Sequence, residues 1–145
     1  MRAVIQRVKN ANVKIDYKII GEIKQGLLVF LAIHEDDQEE KVKKMADKII
    51  NLRIFSDKDD KMNLALKDIM GEVLVVSQFT LYGDTSKGNR PSFIKSAKPE
   101  IAIPMYEKFI KYVRENKIKC ETGEFGAMME VELVNDGPVT VMLDI

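Results

Sequence analysis

The chain reads as an α+β protein: a largely antiparallel sheet, barrel-like if its edges meet, packed with two main helices. Three observations lead there. Strand-like runs outnumber helical ones. Only two windows, residues 38–52 and 99–115, repeat apolar residues at helical spacing. The 145 residues are 46% hydrophobic, which suits one domain over residues 1–145 that buries roughly two thirds of the surface its unfolded chain would expose.

Taken in order, residues 3–8, 11–16, 19–23 and the apolar run 27–33 read as strands, punctuated by Gly21 and Gly26. The period then changes. Val42, Met45, Ile49 and Leu52 recur on one helical face, with Glu39 and Glu40 near the start, where the helix dipole favours acids. Strand pattern returns over residues 72–79, and a polar loop covers residues 82–92. The second helix spans residues 99–115 through Ala102, Met105 or Tyr106, Phe109 and Val113; Pro104 inside it is expected to delay its start or kink it. Residues 117–122, 128–134 and 139–145 close the chain as strands, with Gly137-Pro138 as a turn between the last two.

Composition narrows the classes of function. The 23 basic and 23 acidic residues balance, so no global field draws the protein to nucleic acid and any RNA contact must be local. The place for it is residues 85–99, where Lys87, Arg90, Lys95 and Lys98 occur without an acid between them and Phe93 offers a stacking face; a solvated basic loop has the same composition. No run approaches the roughly 18 apolar residues of a membrane span. The start shows no secretory segment, so a cytoplasmic location is expected. One cysteine, Cys120, permits no internal disulfide and no multi-cysteine zinc site.

The chemistry excluded is as telling. With His34 as the only histidine, schemes that need two or three imidazoles fall away, and its setting before Glu35-Asp36-Asp37 reads as an exposed turn. Asp57-Lys58-Asp59-Asp60 fails as a calcium loop: counted from Asp57, Lys61 stands fifth, Met62 sixth and Asp68 twelfth. No phosphate fingerprint surrounds Gly21 or Gly26, so neither cofactor nor metal is expected.

Ser77-Gln78-Phe79-Thr80-Leu81 follows the continuous apolar run Val73-Leu74-Val75-Val76. Polar groups that end a buried strand face a pocket or cap the strand, and strand alternation puts Ser77 and Phe79 on one face with Gln78 and Thr80 on the other. For an ester substrate, the N–H groups around Phe79 and Thr80 with the Gln78 amide offer an oxyanion site that needs no histidine. Thr80 is a poor nucleophile without an adjacent base, which makes water the preferred attacker; sequence leaves both routes open.

Met1-Arg2-Ala3-Val4-Ile5-Gln6-Arg7-Val8, Lys61-Met62-Asn63, Ser77-Gln78-Phe79-Thr80-Leu81, Arg90-Pro91-Ser92-Phe93, Thr122-Gly123-Glu124-Phe125-Gly126-Ala127 and Gly137-Pro138-Val139-Thr140, in this order, resemble the D-aminoacyl-tRNA deacylase family. The resemblance implies an enzyme that hydrolyses the ester between a D-amino acid, or glycine, and the 3′ end of tRNA. It implies Ser77, Gln78, Phe79 and Thr80 as the catalytic segment, with help from the neighbouring 2′-hydroxyl of the terminal adenosine. It also implies a cis Gly137-Pro138 peptide, inserted across a homodimer interface to reject L-aminoacyl esters sterically. The partners expected are aminoacyl-tRNA and a second copy of the chain, with neither DNA nor membrane. Asp60 departs from the glycine that often precedes Lys-Met-Asn in the family, which puts that loop's shape in question. Two other readings compete: a non-catalytic RNA 3′-end binder, and a metal-dependent esterase or nuclease using Asp57, Asp59 and Asp60.

Overall fold

A computed structural model describes all residues from Met1 to Ile145. Strand β1 (Arg2–Ile15) is one long strand where the sequence predicts two. It turns at Asp16-Tyr17, both at positive φ (47° and 64°), into β2 (Lys18–Ile23). A two-residue loop with both φ values positive matches the right-handed twist of the strands it joins. β3 (Gly26–Ala32) returns antiparallel to β1, and β1 also pairs antiparallel with the last strand, β8 (Glu130–Asp144).

The sheet is mixed rather than largely antiparallel. Helix α1 (Glu40–Ile50) and a small hairpin of β4 (Phe55–Ser56) and β5 (Met62–Leu64) carry the chain from β3 to β6 (Glu72–Ser77), which lies parallel to β3. Helix α2 (Pro99–Glu115) carries it from β6 to β7 (Cys120–Thr122), again in parallel. A helix spanning two neighbouring strands makes a crossover, and a crossover makes those strands parallel. β3 and β6 accordingly bury nearly every side chain on both faces. The order is β2-β1-β3-β6-β7 with β8 on the other side of β1. The sheet curls until β2 meets β7: a Cβ built on Gly21 would lie 2.7 Å from the carbonyl oxygen of Thr122. It is a nearly closed barrel.

Two apolar clusters follow from the curl. Val8, Ala11, Val13, Ile23, Leu28, Leu74 and Val76 fill the inside. The larger cluster joins the opposite face, including Ile5, Val29 and Val75, to Val42, Met45 and Ile49 of α1 and Phe109 and Val113 of α2. Helix α2 spans the expected residues 99–115, and the exposed Pro104 inside it neither delays its start nor ends it. Neither helix is long and apolar enough to cross a membrane.

The C-terminal segment corrects the sequence reading most. Gly137-Pro138 does not reverse the chain, because the residues on both sides of it pair with the same strand, β1. Asn135 opposes Val8 and Thr140 opposes Gln6, so the four residues 136–139 stand opposite the single residue Arg7. They form a wide bulge inside one long strand.

Candidate active site

β6 ends at Ser77, which pairs with Leu31 of β3, and the N–H of Gln78 still donates to the Leu31 carbonyl at 2.9 Å. The backbone then leaves the sheet. Gln78 (φ −144°, ψ 74°) leads into a 3₁₀ turn, Phe79–Tyr82, so strand alternation stops at Ser77 and does not govern Phe79 and Thr80. The first N–H groups of such a turn have no partner inside it. Those of Phe79 and Thr80 are therefore free of the turn's own ladder, the property an oxyanion site requires.

A cavity of ≈ 120 Å³ opens at this strand end. Ser77, Gln78 and Phe79 form one wall, and Leu31 and Ala32 at the end of β3 with Ile33 after it form another. Ser96, Ala97 and Ala102 close it from the α2 side, and Phe125, Gly126, Ala127 and Met129 from the connection between β7 and β8. No acid, histidine or lysine is among these walls. Thr80 is exposed beside them, and its hydroxyl oxygen accepts a hydrogen bond from Gln78 Nε2 at 2.5 Å. An amide N–H is a donor and cannot take the hydroxyl proton, so this contact does not activate Thr80 as a nucleophile.

Phe79 is 55% exposed and meets the ring of Phe93 edge to face, with centroids 5.1 Å apart. That contact ties the 3₁₀ turn to the basic loop. Lys87, Arg90, Lys95 and Lys98 are all exposed and make no ion pair. The loop and the cavity mouth thus form one continuous surface.

Gly137 and Pro138 lie elsewhere in the chain. Their peptide is cis, both residues are exposed, and Gly137 has φ 138°. The buried Arg7 guanidinium holds the bulge at its base. Its Nε donates to the Asp136 carbonyl at 2.8 Å, and its Nη1 donates to the Ile54 carbonyl at 2.6 Å. The row Leu143–Ala3–Leu31–Ser77 crosses four strands, and Arg7 stands four residues along β1 from Ala3. Flat-sheet spacings then put the bulge on the order of 20 Å from Ser77. One chain does not bring its own Gly137-Pro138 into its own cavity.

The family model described as D-Tyr-tRNA(Tyr) deacylase matches residues 4–144. The chain belongs to this deacylase family. Family members are enzymes, and the relatives agree over their full length. A D-aminoacyl-tRNA deacylase of Thermosipho africanus (strain TCF52B) is 60% identical, the match covering 99% of this chain and 97% of that one. One of Thermotoga petrophila is 57% identical with the same coverage. A solved structure, the c-Myc DNA Unwinding Element Binding Protein, superposes with a TM-score of 0.94 at 38% identity and covers 100% of this chain and 99% of its own.

Beside the deacylase fold, other residues singled out in the sequence find ordinary partners. Asp57 spends its carboxylate on the N–H groups of Asp59 and Lys61 and on the Asn63 amide, closing the turn before β5. Asp60 takes φ 56° in that turn, a conformation open to glycine and adopted here by an aspartate. His34 is half-buried rather than exposed: its ring packs edge-on to Tyr82 with centroids 5.0 Å apart, and Nδ1 accepts the Asp36 N–H at 3.2 Å. It is not among the cavity walls. The sequence reading assigns no role to Phe125-Gly126-Ala127 or Met129, which line the cavity. Phe125, Gly126 and Ala127 stand inside the resembling block 122–127, whereas Met129 lies outside every such block.

Proposed function

We propose that the cavity at the end of β6 hydrolyses the ester joining a D-amino acid, or glycine, to the 3′ end of tRNA. Water attacks the ester carbonyl, and the oxyanion of the tetrahedral intermediate is met by the N–H groups of Phe79 and Thr80 with the Gln78 amide. Collapse releases the free amino acid and the ribose hydroxyl of the tRNA. The observation that carries this reading is the set of free N–H groups at a strand end beside a small, mostly apolar cavity whose walls hold no imidazole, acid or lysine. Donors fixed in place stabilise developing charge without proton transfer.

In this reading the substrate end of the tRNA follows the surface from Lys87, Arg90, Lys95 and Lys98 past Phe93 to Phe79. Chirality is read by main chain in a homodimer: Gly137 and Pro138 of the partner subunit complete the cavity and crowd the position where an L side chain would project. Two observations support the second copy. Gly137 and Pro138 are exposed and far from their own cavity, and β8 pairs only with β1, leaving its outer edge unpartnered with Val134 and Met142 exposed.

Incubating the purified protein with matched D- and L-tyrosyl-tRNA, with and without a chelator, tests the reading. The expected result is free D-tyrosine from the D substrate only, unaffected by chelation. Binding without turnover would instead make the protein an RNA 3′-end binder, and loss of activity on chelation would point to metal chemistry at Asp57, Asp59 and Asp60.

A further inference from the structure

The bulge of residues 136–139 departs from the β1 ladder and so gives up the backbone partners that would hold a strand in place. Arg7 holds the Asp136 carbonyl at the start of the bulge, and the side chain of Asn135 holds its end. Asn135 Oδ1 accepts the N–H of Val139 at 2.7 Å, and Asn135 Nδ2 donates to the Val139 carbonyl at 3.2 Å and to Thr140 Oγ1 at 3.3 Å. Thr140 Oγ1 also accepts from Gln6 Nε2 of β1 at 3.2 Å. The Asn135 amide thus acts as a strand rung, meeting both main-chain groups of the residue that closes the bulge.

We infer that Asn135 is a positioning residue for the chiral segment, fixing Gly137 and Pro138 through Val139. The inference rests on the proposed role of Gly137 and Pro138 in rejecting L substrates. The route is short. Val139 is 8% exposed and anchored in the main core, and its Cγ2 lies 2.8 Å from where a Cβ on Gly137 would stand. Where Asn135 holds the Val139 backbone, Val139 sets the path of Gly137. An amide is the group required, because the Val139 N–H needs an acceptor and its carbonyl a donor on one side chain; a carboxylate supplies only the first. Since a displacement of about 1 Å can cost a hundredfold in a positioned site, losing half of this rung is expected to show in selectivity before it shows in folding.

The test measures deacylation of D- and L-tyrosyl-tRNA and the melting midpoint for the wild type, Asn135→Asp, Asn135→Ala and Gly137→Ala. Asn135→Asp keeps size and acceptor and removes the donor. The expected result is a fall of about tenfold in the D over L ratio for Asn135→Asp and a larger one for Asn135→Ala, in kcat more than in KM. The melting midpoint of Asn135→Asp should stay within a few degrees of wild type. Selectivity unchanged in Asn135→Asp and Asn135→Ala while Gly137→Ala loses it would overturn the inference and leave the role of Gly137 standing. Selectivity unchanged in all three variants would remove the segment itself from the site, and the inference with it. Should Asn135→Ala fail to fold, Asn135→Asp decides alone.

Discussion

Cys120 shows how one residue's surroundings settle its chemistry. It is buried on β7, and burial pushes its thiol up to about 12, with the Arg114 guanidinium pulling the other way. At neutral pH it is therefore a thiol and not a nucleophilic thiolate. Native protein treated with iodoacetamide should keep Cys120 unmodified by mass spectrometry and retain full activity, whereas the unfolded chain should be alkylated. Rapid native alkylation with loss of turnover would restore a covalent cysteine route. At this scale the sequence is informative where a side chain carries a functional group. Ser77, Gln78 and Thr80 stand out as polar groups ending an apolar run, whereas Phe125, Gly126 and Ala127 carry no chemistry of their own, and their place in the cavity wall follows from the fold. Asn135 looks like a turn former, and its role as a rung depends on a register that no local pattern encodes.

Among the elements, the two helices are legible because a single buried face leaves a regular spacing, Val42-Met45-Ile49 in one and Ala102-Met105-Phe109-Val113 in the other. β1 and β8 are not legible as single strands. A polar pair such as Lys9-Asn10, or Asn135-Asp136-Gly137-Pro138, has the same composition whether the chain reverses or bulges, and only pairing with a common partner distinguishes the two. Strand direction is equally silent, although the runs 27–33 and 73–76, apolar on both faces, carry the mark of parallel strands. Within α2, Pro104 lacks the N–H that would meet the Glu100 carbonyl, yet packing of Phe109 and Val113 holds the helix through it. Pro104→Ala should therefore raise stability by about 1–3 kcal/mol, read as a higher denaturation midpoint with unchanged activity. A neutral or lower midpoint would mean that restriction of the unfolded chain by the proline offsets the missing bond.

Across the whole molecule, Asp37 ties the start of β1, the loop after β3, the first turn of α1 and the end of β8 into one node. Its buried carboxylate accepts from the Met1 ammonium at 2.7 Å, from Lys41 Nζ at 2.8 Å and from the His34 N–H at 2.7 Å, and the Met1 ammonium also donates to the Ile145 carbonyl at 2.7 Å. Burial pushes the carboxyl up, but the hydrogen bonds from Lys41, the Met1 ammonium and His34 outweigh it and hold the group below its ordinary value. A lowered folded value means that the unfolded chain binds the proton more readily, so the node's contribution is complete above pH of about 4 and is lost as pH falls through the folded value. Denaturant titrations should show stability dropping in that acid range. Asp37→Asn should flatten the drop and cost about 3–5 kcal/mol at neutral pH, the scale for breaking a buried pair; an unchanged acid profile would assign the sensitivity elsewhere. The assembled cavity makes the largest claim, that main chain alone sorts chirality and no side chain of the amino acid is gripped. A panel of D-tyrosyl-, D-phenylalanyl-, D-aspartyl-, glycyl- and L-tyrosyl-tRNA, measured in single turnover, tests it most directly. The account predicts cleavage of all three D esters and of the glycyl ester at comparable rates, with the L ester slower by roughly a thousandfold, the ratio that about 4 kcal/mol of steric exclusion supplies. A strict preference for one amino acid, or equal cleavage of D- and L-tyrosyl-tRNA, would contradict it.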